Sequence, residues 1–257
     1  MITSEFPLNK DNRIRLARAF GDVRRVDLSI QCVLEAQMGS AQVDDLIHPT
    51  AFKIKVGPFA YYAGDFASQG GQHMLAELDT YTLVMPSSPG WLEAFQEMYG
   101  KRFVSFERYS FSGEHLSREY LRQLLQQSEW RGQIQPMDLA FAQQLWGREH
   151  FVELADFESP EDFARRGIGF YLSSAGEIVA AAYSSLVCSI GIEVSLYVEE
   201  EYRRRGIAEA LASQLLVWCL DHHARANWDA ANRPSCRLAE KLGYRPTGQY
   251  QAYYLVE

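Results

Sequence analysis

The chain has 257 residues, 47% of them hydrophobic and 23% charged, which suits a globular protein of one large domain or two modest ones. Its formal net charge of −8 argues against nucleic acid or an anionic membrane as the main partner. No stretch approaches the roughly 20 apolar residues that span a bilayer, and the four cysteines (Cys32, Cys188, Cys219, Cys236) include no Cys-x-x-Cys pair, so neither a metal site nor a disulfide framework is expected.

The start, Met1-Ile2-Thr3-Ser4-Glu5, has neither the basic nor the apolar region of a signal peptide, which makes a cytoplasmic protein the expectation. Residues 13–20 form an arginine-rich helix candidate. Extended segments follow at 29–35, 52–56 and 60–64, the middle one alternating as Phe52-Lys53-Ile54-Lys55-Val56, with Gly57-Pro58 as a tight connection. Residues 81–85 suit a short buried strand and 86–90 a loop. Trp91, Leu92, Phe95 and Met98 at helical spacing predict a helix over 91–99, stopped by Gly100, and 103–111 returns to a strand. Residues 1–130 are thus expected to form a smaller N-terminal α/β domain without a chemical motif.

A polar helix candidate, Arg118–Gln127, bridges into the second domain, residues 131–257. There 132–136 suits a strand, 139–146 a helix, and Ser159-Pro160-Glu161-Asp162 a helix start with proline just after the cap. Three successive strands are expected at 168–172, 178–183 and 192–198, with Ser173-Ser174-Ala175-Gly176 turning between the first two. A long helix over 206–221, a short strand over 226–229, a helix over 234–242 closed by Gly243, and a strand over 249–256 complete the chain. The pattern is α+β: an antiparallel meander feeding a strand–helix–strand unit.

The strand at 192–198 places Ile192, Val194, Leu196 and Val198 on one side and Glu193, Ser195 and Tyr197 on the other. Three arginines, a glycine and an almost uninterrupted apolar helix follow. A helix start leaves N–H groups without intrahelical partners and carries positive dipole charge. Gly206 permits close backbone approach and Ala208 keeps the first turn free of bulk. Together they make an anion site suited to a pyrophosphate.

These residues resemble the GNAT acetyltransferase superfamily. Arg203-Arg204-Arg205-Gly206-Ile207-Ala208, after Val198-Glu199-Glu200-Glu201-Tyr202, is similar to that superfamily's acetyl-CoA pyrophosphate signature, (Arg/Gln)-x-x-Gly-x-(Gly/Ala), preceded by its fourth strand. Trp228-Asp229-Ala230-Ala231-Asn232-Arg233-Pro234-Ser235 and Leu238-Ala239-Glu240-Lys241-Leu242-Gly243-Tyr244 resemble its second signature: strand five, an Asn, and a helix ending in Lys-x-Gly-(Phe/Tyr). The resemblance covers residues 132–257. Gly191-Ile192-Glu193, Trp228-Asp229-Ala230-Ala231-Asn232, Arg25-Val26-Asp27 and Val43-Asp44-Asp45 are similar to a bacterial subgroup that includes the zwittermicin A resistance acetyltransferase.

The resemblance implies a GNAT fold, a mixed and largely antiparallel central sheet with flanking helices, and acetyl-CoA as donor. The amides of Arg204, Arg205, Gly206, Ile207 and Ala208 would cradle the pyrophosphate, with Arg203 adding charge. Asn232 would contact the pantetheine or sulfur end and Ser235 the same arm, and the strand segment Leu196-Tyr197-Val198 is assigned to the cofactor as well. Strands four and five splay apart in the family, so Val194, Leu196 and Trp228 become candidate walls for the thioester; Trp228 is equally a plain core aromatic.

Acetyl transfer to an ammonium requires removal of a proton, stabilisation of an oxyanion and protonation of a thiolate. Glu193 on the expected fourth strand is the candidate base, its competing role being a structural ion pair with an arginine; Asp229 is the second candidate. A backbone amide near Leu196 or Val198 would serve the oxyanion. Many relatives place a tyrosine where this chain has Ala239, so the acid falls to Tyr244, Tyr250, Tyr253, Tyr254, Ser235 or water. His222-His223 point about 100° apart and suit a helix C-terminus better than a metal or catalytic pair. The implied protein is an N-acetyltransferase acting on a primary amine of a small molecule, as a monomer or homodimer, with residues 1–130 contributing to the acceptor pocket. The competing class is a GNAT fold that binds acyl-CoA as a ligand without turnover.

Overall fold

A computed structural model describes residues 3–146 and 156–257. The first elements in chain order are β1 (Ser4–Glu5), α1 (Lys10–Ala19), α2 (Ser29–Leu34), β2 (Ser40–Val43), β3 (Ala51–Val56), β4 (Phe59–Gly64), α3 (Gln69–Ala76), β5 (Leu83–Pro86), α4 (Pro89–Tyr99) and β6 (Phe103–Ser112). Then come α5 (Arg118–Gln127), β7 (Gln135–Pro136), α6 (Leu139–Leu145), α7 (Pro160–Arg166), β8 (Gly169–Ser174), β9 (Glu177–Cys188) and β10 (Gly191–Val198). The last are α8 (Ile207–Asp221), β11 (Arg225–Ala230), α9 (Arg233–Leu242) and β12 (Arg245–Leu255). The α+β expectation holds. No helix among the described residues is long and apolar enough to cross a membrane.

The chain divides into two compact units: Met1–Arg108 with Tyr250–Glu257, and Tyr109–Gln249. The boundary expected at 130/131 is therefore corrected. The sequence break fell at α5, but α5 packs its Leu121 into the core that α8 builds in the second unit. The last strand, expected to close the second domain, gives Tyr250–Glu257 to the first, where Tyr253 pairs with Val84 of β5.

In the first unit β2, β3 and β4 form an antiparallel meander and β5 lies parallel to β4. Its core is aromatic. Tyr62 meets Phe95 edge-on at 5.0 Å between centroids, and Phe95 stacks on Phe103 at 5.1 Å. Each such ring, fully buried, contributes about 1.5–3 kcal/mol. Trp91 donates its Nε1–H to the Gly64 carbonyl at 3.0 Å, which lets an indole sit inside without an orphaned donor.

In the second unit the strand order is β6-β11-β10-β9-β8-β7. β10 and β11 are parallel, and the remaining ladders are antiparallel. Between β8 and β9 the chain turns through Ala175 and Gly176, both at positive φ (52° and 85°), the backbone of a two-residue hairpin. Helix α8 buries Ile207, Leu211, Leu215 and Leu216 with Trp228 and Leu121 in one core. Phe141 of α6 stacks on Tyr171 of β8 at 3.9 Å.

Four other expectations are corrected. Residues 29–34 are helical, not extended: Leu28, Ile30, Cys32 and Leu34 alternate like a strand, but the Cys32 amide bonds back to the Leu28 carbonyl, and Asp27, just before that turn, accepts from the Ser29 amide and hydroxyl. The 132–136 strand shrinks to Gln135–Pro136, since Arg131–Gln133 makes a 3₁₀ turn. The 81–85 strand begins only at Leu83, Tyr81 having φ 61°. Within the expected 86–90 loop, Ser88 already caps α4 and Pro89 opens it.

Candidate active site

The ladder between β10 and β11 has three rungs, Gly191 with Arg225, Ile192 with Ala226, and Glu193 with Asn227. There it ends. Beyond it β10 runs on to Val198 along β9, while β11 runs on to Ala230 along β6. At the same point the β9–β10 register shifts, Glu193 facing Leu186 and Val194 facing Ser184. Two parallel strands thus part company midway, which is the splay expected of strands four and five.

The faces of these strands divide by chemistry. Ile192, Val194, Leu196 and Val198 pack with Ala226, Trp228 and Ala230 on the α8 side. By alternation Glu193, Ser195 and Tyr197 occupy the other face, and the Glu193–Asn227 rung puts Asn227 and Asp229 there with them. Trp228 is therefore a core aromatic, 4% exposed, its Nε1–H donated to Ser235 Oγ at 3.1 Å.

Glu193 is 8% exposed, and the Asn227 Nδ2 group lies 3.1 Å from its Oε1 and 2.9 Å from its Oε2. An amide donor orients a carboxylate without bringing a positive charge to it. Asn227 was missed in the sequence; its signal was a polar residue two positions before Asp229, on the same face of a strand whose other face is apolar. Tyr197 has its hydroxyl pushed up to about 12, by burial first and then by the hydrogen bond and charge of Glu199.

The expected phosphate loop is open. Arg203, Arg204, Arg205 and Gly206 are exposed, and Arg204 (φ 62°) and Gly206 (φ 78°) are both left-handed. Left-handed residues in such a turn direct successive amides into a concavity that accepts anions. Gly206 is the residue before α8, and the first helical bond back to it comes from the Ala210 amide at 3.1 Å. A β-carbon built on Gly206 meets nothing within 4 Å, so space lies over the helix start. The loop is pinned from behind: Arg203 Nε donates to the Val198 carbonyl at 3.1 Å, and Trp130 Nε1 donates to the Arg205 carbonyl at 2.7 Å. The open left-handed backbone and the parted strands fit a pyrophosphate-bearing thioester.

Other sequence candidates take structural places. Asn232 caps α9, its Oδ1 accepting from the Ser235 amide at 2.9 Å. Tyr244 donates its hydroxyl to the Ala226 carbonyl at 3.0 Å, and burial raises its pKa well above the usual tyrosine value. Ala239 is fully buried in the α8 core. His222 stacks on Trp218 at 4.0 Å and donates from Nδ1 to the Trp218 carbonyl, finishing α8. Tyr250, Tyr253 and Tyr254 belong to the first unit.

A strand–loop–helix with an open left-handed turn, beside two parallel strands that diverge, defines the GNAT class of fold. The model of the GNAT acetyltransferase family matches residues 23–253, and the chain belongs to that family. The match takes in most of the first unit, which carries none of the signature motifs. The uncharacterised N-acetyltransferase YdfB of Bacillus subtilis (strain 168) is 30% identical over 100 residues, and the chain spans 38% of that relative's length. A GCN5-related N-acetyltransferase-like protein from Streptococcus suis 89/1591 is 29% identical with a TM-score of 0.83, over 95% of this chain and 98% of that one. A GCN5-related N-acetyltransferase from Sphaerobacter thermophilus shares the fold at 15% identity and TM-score 0.55, over 98% and 94% of the two chains.

Proposed function

We propose that this protein is an acetyl-CoA-dependent N-acetyltransferase that acts on a primary amine of a small molecule, by direct transfer within a ternary complex. The observation that carries the reading is the end of the β10–β11 ladder at Glu193 and Asn227. It leaves a carboxylate at the point where the two strands separate.

Acetyl-CoA, when bound, supplies an acyl carbon activated by a thiol leaving group. The amides of Arg204, Arg205, Gly206, Ile207 and Ala208 hold its pyrophosphate, and Arg203 adds charge. Leu196, Tyr197 and Val198 line its path along β10. Asn232 offers its Nδ2 group, since Oδ1 is spent on the helix cap, and Ser235 lies one turn on. Glu193 accepts the proton that the ammonium must lose, steadied by Asn227, with Asp229 as second candidate on the same face. An N–H of Leu196 or Val198 stabilises the oxyanion. The acceptor belongs to the antibiotic or amino-acid-like amines, which the likeness to the zwittermicin A resistance subgroup suggests.

Incubation with acetyl-CoA and a panel of amines, followed by thiol release, tests this directly. Release with at least one amine is expected; no release, together with no binding of acetyl-CoA, overturns it. One observation favours a second reading, a non-catalytic acyl-CoA sensor: the acid position of many relatives holds Ala239, sealed in the core. Tight acetyl-CoA binding without turnover of any amine would select that reading.

A further inference from the structure

In the first unit Gln42, Lys53 and Tyr62 form one row across β2, β3 and β4, Gln42 being the register partner of Lys53 and Lys53 of Tyr62. Cross-strand partners share a face, so three polar side chains stand abreast. They do not satisfy one another. Gln42 Oε1 and the Tyr62 hydroxyl are buried without a hydrogen-bond partner among the described residues. Lys53 is 8% exposed, and its Nζ lies over the Tyr62 ring, 5.7 Å from the centroid. No carboxylate among the described residues pairs with it. Lys55, two residues on, is different, with its Nζ 3.0 Å from Asp79 Oδ2. A cavity of about 510 Å³ opens at this point, lined by Ser40, Gln42, Lys53, Lys55, Glu77 and Asp79.

We propose that Lys53 is an acylation site of this protein, its amine taking an acyl group from an activated donor, a thioester or an acyl phosphate, that enters this cavity. The neutral amine attacks the acyl carbon and a C–N bond forms. The C–S or C–O bond of the donor breaks, its electron pair leaves on sulfur or on phosphate oxygen, and the nitrogen gives up one proton to water. The product answers the unmet demands of the row. An ammonium offers donors alone and cannot accept from the Tyr62 hydroxyl. An amide offers one N–H, suited to Gln42 Oε1, and one carbonyl, suited to Tyr62. It also removes a charge that is costly to bury unpaired.

The electrostatics of the cavity support the nucleophile. Burial lowers the Lys53 pKa most and the Lys55 charge lowers it further, while Asp79 and Glu77 pull it part of the way back. Tyr62 and Tyr99 behind it are held neutral by burial, and His73 is engaged with Glu77 at 3.1 Å. Each unit by which an amine's pKa falls gives about tenfold more of the reactive neutral form.

The sequence has five lysines, Lys10, Lys53, Lys55, Lys101 and Lys241, so the comparison is internal. The folded full-length chain is exposed to acetyl phosphate and, separately, to acetyl-CoA, and peptide mass spectrometry gives the acetyl occupancy of each lysine. Near neutral pH Lys53 is labelled several-fold faster than the exposed Lys10 and Lys101, and the advantage shrinks as the pH rises toward the ordinary lysine range. Lys53→Arg loses that label and keeps the others. Labelling by acetyl phosphate alone supports the site and names the donor, because that arm makes no use of the loop before α8. Protein acetylated at Lys53, like Lys53→Gln, melts at a higher temperature than the unmodified chain. Slower labelling of Lys53 than of Lys10 and Lys101 with both donors, or a lower melting temperature on acetylation, overturns the proposal.

Discussion

Asn227 holds Glu193 by both carboxylate oxygens, its Nδ2 standing 3.1 Å from Oε1 and 2.9 Å from Oε2. These two residues are also the last rung between β10 and β11. One pair of positions therefore ends the ladder and aims the carboxylate at the place where the strands separate. A shift of register by one residue would turn Glu193 into the α8 core, so the pairing that fixes the sheet also fixes the face on which Glu193 stands.

Replacing Glu193 by Gln keeps the shape and removes the proton acceptor. In the proposed reaction kcat falls about 10²–10⁴-fold. KM for acetyl-CoA stays near the wild-type value, because the loop before α8 is untouched. Steady-state thiol release with the best amine measures both; an unchanged kcat would transfer the role to Asp229.

Gly206→Ala tests the loop. The glycine has φ 78°, and an added β-carbon meets nothing within 4 Å, so the variant folds without a clash. The left-handed conformation now costs about 1 kcal/mol, and the turn relaxes away from the anion-binding shape. The expected result is a KM for acetyl-CoA raised about five- to tenfold with kcat little changed. A lowered kcat at constant KM would contradict a phosphate-holding role.

Asn232 has a cap to make and a cofactor contact proposed for it, and two substitutions separate them. Asn232→Ala removes the bond from the Ser235 amide and lowers stability by about 0.5–2 kcal/mol in denaturant unfolding. Asn232→Asp restores the cap but has no Nδ2 group to offer and adds a negative charge. Stability recovered together with weakened acetyl-CoA binding assigns both roles; binding that recovers as well leaves the cap alone.

Asp162 gives a pH signature. It is 5% exposed and accepts from Arg165 at 2.6 Å and Arg166 at 2.7 Å. The Arg166 hydrogen bond above all holds its carboxyl well below the usual aspartate range, outweighing the opposing effect of burial. A native pKa below the unfolded one adds stability that is full above about pH 4 and is lost as the pH falls through the native value. Asp162→Asn is therefore expected to lower stability by about 2–3 kcal/mol at neutral pH, the gap to wild type closing in acid. Urea midpoints across a pH series check the sign; a gap that widens in acid would refute it.

Legibility in the sequence followed the range of the interactions involved. Gly206, the apolar run of α8 and Gly243 were readable because helix starts and stops are set within a few residues. Glu193 was singled out as a candidate from its place on the expected fourth strand. Its partner Asn227 was not, since that pairing depends on the register of two strands 34 positions apart. Helix α2 was hidden by a period-two run of apolar residues, and β2 and α3 lacked a clear period. The unit boundary was missed because the packing of α5 on α8 and the pairing of β12 with β5 join distant segments, and neither leaves a local mark.

The division of the chain has a consequence for the order in which it is made. Strand β5 of the first unit waits for Tyr253, which arrives after every residue of the second unit. The second unit is continuous in sequence and has its residues in hand first. During synthesis, then, the half that carries Glu193 and the loop before α8 has all its residues before Tyr250–Glu257 are made, while the other half holds one side of its sheet incomplete until they follow. A lesion in Tyr250–Glu257 should leave the later-made half able to fold and the earlier-made half exposed to proteolysis.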